Sequence, residues 1–209
     1  MNSTSTHKIR NRVKAKERLK LFTIDTVQQG ESYHATTKEL SRMASNGQVK
    51  RLKTGIYYKP KKTKFGELVP REGDVLSFLL KQNGKQVGYV SGERAYNSLG
   101  LTNQISSVVT IATEGSSKKP TTLGGVKVRY VKAYGNPKTD NHHLLQILDA
   151  MKDIRMIPDS NILECMKILG IRVKELDSKD QSHLIKIAKK YPKRVRVLLS
   201  EIINDLKRY

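Results

Sequence analysis

Residues 32–45 place hydrogen-bonding side chains at the spacing of one helix face. Successive helix residues turn by about 100°, so residues three and four positions apart share a side. The polar residues that share this side are His34, Thr37, Lys38, Ser41, Arg42 and Ser45. Their hydroxyls and cations are donors and acceptors that fit base edges in the major groove of DNA. Because solvated helix faces usually mix Glu with Lys, and Glu39 lies off this side, the pattern favours a DNA-reading helix.

A basic hairpin is predicted directly after this helix, over residues 49–59, with its turn near Thr54 and Gly55. Lysine and arginine of the kind found here bind phosphates, which positions a protein on DNA without reading sequence. The hairpin cations are Lys50, Arg51, Lys53 and Lys59, whereas Tyr57 and Tyr58 are predicted to pack the strands. The candidate DNA-binding residues are therefore Ser32, His34, Thr37, Lys38, Ser41, Arg42, Lys50, Arg51, Lys53 and Thr54.

Three helices are needed in front of the hairpin to position these residues. The periodicity predicts them over residues 6–19, 24–29 and 33–46. The predicted N-caps are Thr6, Thr23 and Ser32, and the predicted terminators are Gly30 and Gly47. Lys or Arg occupies every even position from Lys8 to Lys20, which on a helix spreads charge all round. Three helices followed by a basic hairpin indicate a winged helix-turn-helix.

The rest of the chain predicts a mixed α/β unit over residues 67–135 and a helical segment over 139–209. The predicted fold class is α+β, with a DNA-binding domain at residues 1–62 and a second domain at 67–209. A charged run at 59–66 and a turn cluster at 135–138 are the predicted joints. In the mixed unit, helices are expected at 72–81 and 92–99 and strands at 86–90, 108–112 and 126–131. The later helices are expected at 139–154, 159–169, 178–190 and 192–207.

The charge balance points to a polyanionic partner. The chain carries 40 Lys and Arg against 19 Asp and Glu, a net charge of +21. The first 66 residues hold 16 of these cations and only 4 of the acids, so more than half of the excess lies there. Such a protein attracts nucleic acid over long range, and its N-terminal part should meet it first.

An enzymatic alternative comes from Pro158-Asp159 and Asp177-Ser178-Lys179, which match the pattern of metal-dependent nucleases. That chemistry needs both carboxylates on adjacent strands around a divalent ion. Both sites lie instead at predicted helix starts, and Ser178 with Gln181 is better interpreted as a capping box. A metal-dependent nucleic-acid-processing enzyme and a nonspecific RNA-binding protein remain the alternatives.

No catalytic site, metal or cofactor is predicted. His142 and His143 are adjacent and point about 100° apart, so they cannot chelate a metal by themselves. Cys165 is the single cysteine, expected in the core, which excludes an internal disulfide. No apolar run approaches the ~20 residues of a membrane span, and residues 1–6 are a polar lead that is expected to be disordered. A cytoplasmic location without membrane contact is expected.

Two sequence blocks, taken in order, carry a family resemblance. The first is GQVKRLKTGIYYKP at residues 47–60, and the second is SGERAYNSLGLTNQ at 91–104, followed by VVTIAT at 108–113. Together they resemble the AbiEi-type antitoxins of bacterial type IV toxin–antitoxin (abortive infection) systems. The resemblance extends from about residue 22 to 131, and beyond it the main agreement is helical length and the Tyr191-Pro192 helix start.

The resemblance implies a transcriptional repressor that is also an antitoxin in phage defence. Such proteins bind operator repeats of their own operon through an N-terminal winged helix. They also counter a cognate toxin similar to nucleotidyltransferases, and their C-terminal part is associated with that activity. The expected partners are thus operator DNA with repeats and such a toxin, with direct contact to the toxin left open.

Overall fold

The computed structural model describes residues 5–115 and 118–206, and the chain divides into two compact units. The N-terminal unit comprises residues up to 84 together with 122–126, and the C-terminal unit comprises 85–121 and 127 onward. This division differs from the predicted one, because residues 67–84 group with the N-terminal unit. Of the predicted polar lead, residues 1–4 lie outside the described residues, and Ser5 and Thr6 already belong to the first helix.

Helices and a three-stranded antiparallel sheet form the first part of the N-terminal unit. The elements are α1 (Ser5–Lys14), β1 (Leu21–Thr23), α2 (Asp25–Gln28), α3 (Tyr33–Ser45), β2 (Lys50–Lys53) and β3 (Ile56–Tyr58). The strand order is β1-β3-β2, so β1 closes onto the hairpin that follows α3. The buried apolar cluster between these elements is Val13, Phe22, Ile24, Val27, Leu40, Met43, Val49 and Tyr57.

The bounds of α3 and of the β2–β3 hairpin confirm the prediction, because local signals determine them. The Ser32 hydroxyl accepts a hydrogen bond from the Ala35 amide at 3.1 Å, as an N-cap does. Gly47 ends the α3 region at φ +67, and Gly55 makes the hairpin turn at φ +78. Both values lie in the left-handed region that favours glycine.

Two predictions about the earlier helices were wrong. The first helix ends at Lys14 and not at residue 19, because the chain must then cross to β1. The Leu19 amide donates to the Lys59 carbonyl at 2.9 Å on that path. Thr23 does not cap α2, because it is the last residue of β1 and its carbonyl accepts from the Thr26 hydroxyl at 2.8 Å.

A second hairpin replaces the predicted joint at residues 59–66. Its strands are β4 (Lys61–Thr63) and β5 (Gly66–Leu68), paired antiparallel, and α4 (Glu72–Leu80) and β6 (Lys81–Gln82) follow. Gly66 adopts φ +115, and the Thr63 hydroxyl donates to the Gly66 carbonyl at 2.9 Å. These features form a tight two-residue turn, so a run that has the composition of a linker becomes a hairpin.

The C-terminal unit combines a sheet with a helical bundle. Its elements are β7 (Lys85–Gln86), β8 (Gly88–Ser91), α5 (Glu93–Ser98), β9 (Val108–Thr113), β11 (Val126–Lys132), α6 (His142–Asp153), a 3₁₀ turn (Ile154–Met156), α7 (Ile162–Lys174), α8 (Ser178–Ala188) and α9 (Lys193–Leu206). The short strand β10 (Thr121–Leu123) falls mostly in the segment 122–126 of the N-terminal unit. In the sheet of this unit, β9 runs parallel to β11 and antiparallel to β8. The α+β class and the helical segment after residue 139 are confirmed.

The core of the C-terminal unit centres on α6, which packs against α7, α8 and α9. The apolar stripes predicted from periodicity are buried there, for example Leu144 and Leu148 on α6 and Leu184 on α8. Cys165 is buried in the same core, as predicted. Across residues 5–115 and 118–206, no helix combines the length and the apolar character that crossing a membrane requires.

Candidate nucleic-acid interface

The predicted polar face of α3 is turned to solvent. Thr37 is half-buried, and the exposed members are His34, Lys38, Ser41, Arg42 and Ser45. The opposite side, with Leu40 and Met43, lies in the core. Glu39 is only 3% exposed, so no carboxylate opens on the face. The helix therefore presents hydroxyls, an imidazole and cations to an incoming ligand.

Hydroxyl groups along α3 also form hydrogen bonds with the backbone of the helix itself. Thr37 Oγ1 donates to the Tyr33 carbonyl at 2.9 Å, which leaves its lone pairs as acceptors for a base amino group. Ser45 donates to the Ser41 carbonyl at 3.2 Å in the same way. Ser32 uses its oxygen as the N-cap, so its main role is to position the helix.

Arg42 is held by an ion-pair network that begins in α1. Arg10 Nε donates to Glu39 Oε1 at 2.5 Å, and Arg42 Nη1 lies 3.5 Å from Glu39 Oε2. The Arg42 side chain remains largely exposed. Glu39 thus orients the guanidinium of Arg42. The exposed N–H groups of Arg42 can make a bidentate contact with a guanine or a phosphate.

The β2–β3 hairpin exposes all four of its predicted contact residues, which are Lys50, Arg51, Lys53 and Thr54. Arg51 Nη2 donates to Thr54 Oγ1 at 2.9 Å, so Thr54 orients the arginine. Lys50 Nζ lies 3.2 Å from Glu67 Oε2 on β5, which partly neutralises this lysine. The hairpin is therefore a cationic edge whose cations differ in how much charge they can offer to phosphates.

Lys59 does not belong to this edge, which corrects the prediction. Its ammonium donates to the Lys14 carbonyl at 2.5 Å and to the Lys16 carbonyl at 2.7 Å. It thereby satisfies carbonyls at the end of α1 that have no partner inside the helix. Burial and the nearby Arg18 lower the pKa of Lys59. Tyr57 and Tyr58 are buried and pack the hairpin, as predicted.

Much of the basic run from Lys8 to Lys20 stabilises the N-terminal unit internally. Arg12 Nη1 donates to the carbonyls of Val27 and Gln28, at 3.1 and 2.7 Å, and so closes the end of α2. Lys20 Nζ donates to Asp74 Oδ1 at 2.8 Å, and this bond lowers the pKa of Asp74. We call these internally bonded cations the staples; they are Lys8, Arg10, Arg12, Arg18, Lys20 and Lys59.

A basic groove of about 650 Å³ lies beside the C-terminal end of α3. Its cationic lining is Lys14, Arg18, Lys59, Lys61 and Lys62, and Met43 and Gln48 form part of its floor. The lining contains no carboxylate. A groove of this charge suits a phosphate backbone.

Tyr33 was missed by the sequence reasoning. It is 60% exposed in the first turn of α3, directly before His34. The N-terminal residues of a recognition helix contact base edges, so this aromatic ring belongs to the candidate interface. Its position directly after the predicted N-cap Ser32 could have indicated this. The predicted face contains only polar residues, so it leaves out the aromatic ring.

The residues of the nuclease pattern have structural roles. Asp177 Oδ1 accepts from the Asp180 amide at 2.7 Å and caps α8, so the N-cap is one residue earlier than the predicted Ser178. Asp159 sits in a turn at φ +47 and accepts from the Gln104 side-chain amide. His142 Nε2 lies 2.8 Å from the Pro137 carbonyl. Within the described residues, no group of three or more His, Cys, Asp or Glu side chains is arranged to hold a metal.

The C-terminal unit contains a buried carboxylate, Asp149, at 4% exposure. Asp149 Oδ2 accepts from Tyr89 at 2.9 Å and from Ser91 at 2.6 Å, and Oδ1 accepts from Tyr191 at 3.0 Å. Burial raises the pKa of Asp149, and the three hydroxyls act against that shift. The network ties β8 and the segment before α9 to α6, so it is a structural feature of the core.

Comparison with known proteins gives a family. No curated protein matches the chain. Among solved structures, the chain is similar to the crystal structure of the RV2827C protein from Mycobacterium tuberculosis, at 10% identity and a TM-score of 0.43, over 92% of this chain and 79% of that one. The family of unknown function DUF6088 matches residues 8–192, and the chain belongs to that family.

Proposed function

We propose that the N-terminal unit is a winged helix-turn-helix that binds double-stranded DNA sequence-specifically. In this proposal α3 enters the major groove and the β2–β3 hairpin rests on the backbone as the wing. The observation that carries the proposal is the exposed face of α3. It offers hydroxyls and cations in the absence of an exposed carboxylate, because Glu39 is buried.

The proposal divides the work between two surfaces. Thr37, Ser41 and Arg42 read base edges, and Tyr33 and His34 add contacts near the helix start. The hairpin cations Arg51 and Lys53 bind phosphates and fix the register. Support comes from the Arg51–Thr54 hydrogen bond and the Arg42–Glu39 ion pair, which hold two of these side chains in place before DNA arrives.

Footprinting of the region upstream of the gene tests the DNA-binding proposal. We expect protection of repeated sites, with specific binding that survives ~200 mM salt better than nonspecific binding does. Lys186→Ala removes one exposed cation from α8 and serves as the control, with an unchanged footprint. Absence of any protected site upstream would falsify the repressor role, and equal competition by bulk RNA would favour nonspecific RNA binding.

We also propose that the protein acts in the cytoplasm as an antitoxin that represses its own operon. The support is the resemblance of residues 47–60 and 91–113 to AbiEi-type antitoxins. The second of these blocks spans α5 and β9, so the resemblance includes the C-terminal unit as well as the N-terminal one. The C-terminal unit then counters a nucleotidyltransferase-like toxin, in phage defence by abortive infection.

Co-expression with the neighbouring gene tests the antitoxin role. We expect that gene to arrest growth alone and growth to recover when this protein is present. Because binding to DNA and antitoxicity are assigned to different units, Arg42→Ala should retain the rescue. A neighbouring gene that is harmless, or equally toxic in both cultures, contradicts the proposal. Plasmid cleavage with Mg²⁺ or Mn²⁺ that is lost in Asp177→Ala would establish the nuclease alternative instead.

A further inference from the structure

The β4–β5 hairpin is exposed on both of its faces. All residues from 61 to 69 are exposed, and the Phe65 ring at the turn is completely accessible to solvent. A two-stranded hairpin with no buried face gains little stability from its own packing. The Phe65 ring is therefore fully available for contact with a partner.

The hairpin is nevertheless well anchored at its base and turn. Arg18 Nη1 donates to the Pro60 carbonyl at 2.8 Å, directly before β4. In the turn, the Phe65 amide donates to Thr63 Oγ1 at 3.2 Å. The ion pair of Glu67 with Lys50 connects β5 to the β2–β3 hairpin. These bonds fix the backbone of the hairpin at and around Phe65, which lowers the entropic cost of using the hairpin in a contact.

The charge around Phe65 fits a polyanion. Lys61, Lys62 and Lys64 are exposed within four positions of the ring, and two of them also line the basic groove. Glu67 is the only acid of the hairpin, and it is paired with Lys50. A second copy of this chain is a poorer occupant, because its lysines would face these lysines.

We propose that the β4–β5 hairpin is a second DNA-binding element that enters the minor groove and inserts Phe65 between base pairs. Its lysines bind the flanking phosphates while the ring partly unstacks one step and bends the duplex. Apolar wedges of this kind act in minor-groove proteins, and flexible TA or CA steps are the easiest to open. This proposal rests on the proposed DNA-binding function of the N-terminal unit.

The sequence allows a direct test, since it contains no tryptophan. Phe65→Trp introduces a single indole, whose emission is quenched when it stacks on bases. We expect strong quenching of the indole on titration with the upstream fragment, saturating at the same ratio of fragment to protein as the gel shift. Val69→Trp places the indole at an exposed position beyond β5 and serves as the matched control, with little change.

A second variant measures the contribution of the ring. Phe65→Ala should weaken binding about tenfold, within the range of one base–aromatic stack. It should also reduce the DNA bend measured by energy transfer between the ends of a labelled fragment. Circular dichroism should be unchanged, because the Phe65 side chain is fully exposed.

The outcomes separate the two proposals. If wild-type protein shifts the fragment but Phe65→Trp is not quenched and Phe65→Ala binds and bends DNA normally, the hairpin proposal is overturned and the α3 interface stands. If wild-type protein does not bind the fragment at all, the DNA-binding function itself is contradicted. A change of sedimentation mass in Phe65→Ala without DNA, together with an unquenched indole, would assign the tip to self-association.

Discussion

Glu39 in the N-terminal unit and Asp149 in the C-terminal unit are both almost completely buried, but their partners differ in kind. Glu39 is bound by two guanidiniums, from Arg10 on α1 and Arg42 on α3. Asp149 is bound by three neutral hydroxyls from tyrosine and serine. One carboxylate is matched by opposite charge in direct contact, and the other mainly by hydrogen bonds, with Lys152 as a nearby charge.

The two buried acids differ in whether their partners reach the protein surface. The cations of Glu39 reach solvent, and one of them belongs to the proposed DNA-reading face, so this buried acid affects both folding and binding. The donors of Asp149 are themselves buried or nearly so, so this acid affects the C-terminal core only. The following predictions test that contrast.

Asp149→Ala should have the largest effect, a loss of about 3–5 kcal/mol of unfolding free energy. It leaves the buried hydroxyls of Tyr89 and Ser91 without their acceptor, and it leaves Tyr191 only the Leu145 carbonyl at 3.5 Å. Unsatisfied buried groups cost about 1–3 kcal/mol each. Urea unfolding measures it, with the exposed Glu201→Ala as the control. A loss below about 1 kcal/mol would mean that water or relaxation replaces the network.

Glu39→Gln should lower the unfolding free energy by about 2 kcal/mol, because Arg10 and Arg42 lose their shared counter-charge. Both guanidiniums reach water, which keeps the effect below that of Asp149→Ala. The same variant should bind nonspecific DNA more tightly, since it adds one net positive charge close to the interface. Asp149→Asn is the counterpart and should leave DNA affinity unchanged. If Glu39→Gln and Asp149→Asn changed DNA affinity equally, the proposed link between Glu39 and the DNA-binding surface would be wrong.

Arg42→Ala should reduce affinity for the upstream site about tenfold and relax base preference, while nonspecific affinity falls less. A bidentate arginine–base contact contributes about 1–3 kcal/mol of discrimination. Competition binding with substituted sites measures the change. Lys186→Ala, which removes one exposed cation outside the proposed interface, is again the control. A uniform fall across all sequences would reassign Arg42 to phosphate binding.

Stability should depend on pH through Asp149. Burial raises its pKa in the folded protein, so its contribution is present in full below the unfolded value of about 3.9 and is lost as pH rises through the folded value. Wild-type stability should therefore fall relative to Asp149→Asn as the pH rises above about 4, by up to ~1.4 kcal/mol per pH unit at the steepest point. Parallel curves for the two proteins would contradict this assignment.

Lys53→Ala should have the smallest effect, a few-fold loss of affinity for every DNA sequence and a salt slope lowered by about one unit. The lysine lies in the β2–β3 hairpin, which is proposed to bind phosphates and not bases. Binding measured over a range of salt on specific and random fragments gives both quantities. Altered base preference in this variant would reverse the roles assigned to hairpin and helix.

Sequence patterns predicted the parts of this molecule that local signals determine. Ser32 and Gly47 gave the limits of α3, Gly55 gave the hairpin turn, and the apolar stripes gave the C-terminal helices. What was missed depends on distant partners. The strand β1 is three residues long and is stabilised by β3, which lies more than 30 residues further along the chain.

Side-chain roles were harder to predict than elements, for the same reason. Nothing near Glu39 in the sequence points to Arg10, 29 positions away, as its partner. Lys59 resembled a phosphate-binding lysine because its contact with the end of α1 exists only in three dimensions. The composition of residues 59–66 predicts a linker and not the β4–β5 hairpin, because these residues lack the apolar alternation of a strand with a buried face.

The staples bear on how relatives of this protein should be compared. Six cations between Lys8 and Lys59 contribute to the net charge of +21 but are occupied by carbonyls and carboxylates of the N-terminal unit. A relative that replaces a carbonyl-bound cation such as Arg12 by a neutral hydrogen-bond donor loses basicity without losing a residue of the proposed DNA interface. Isoelectric point is therefore a poor guide to shared activity within the family, and the side chains that face outward from α3 are the better marker.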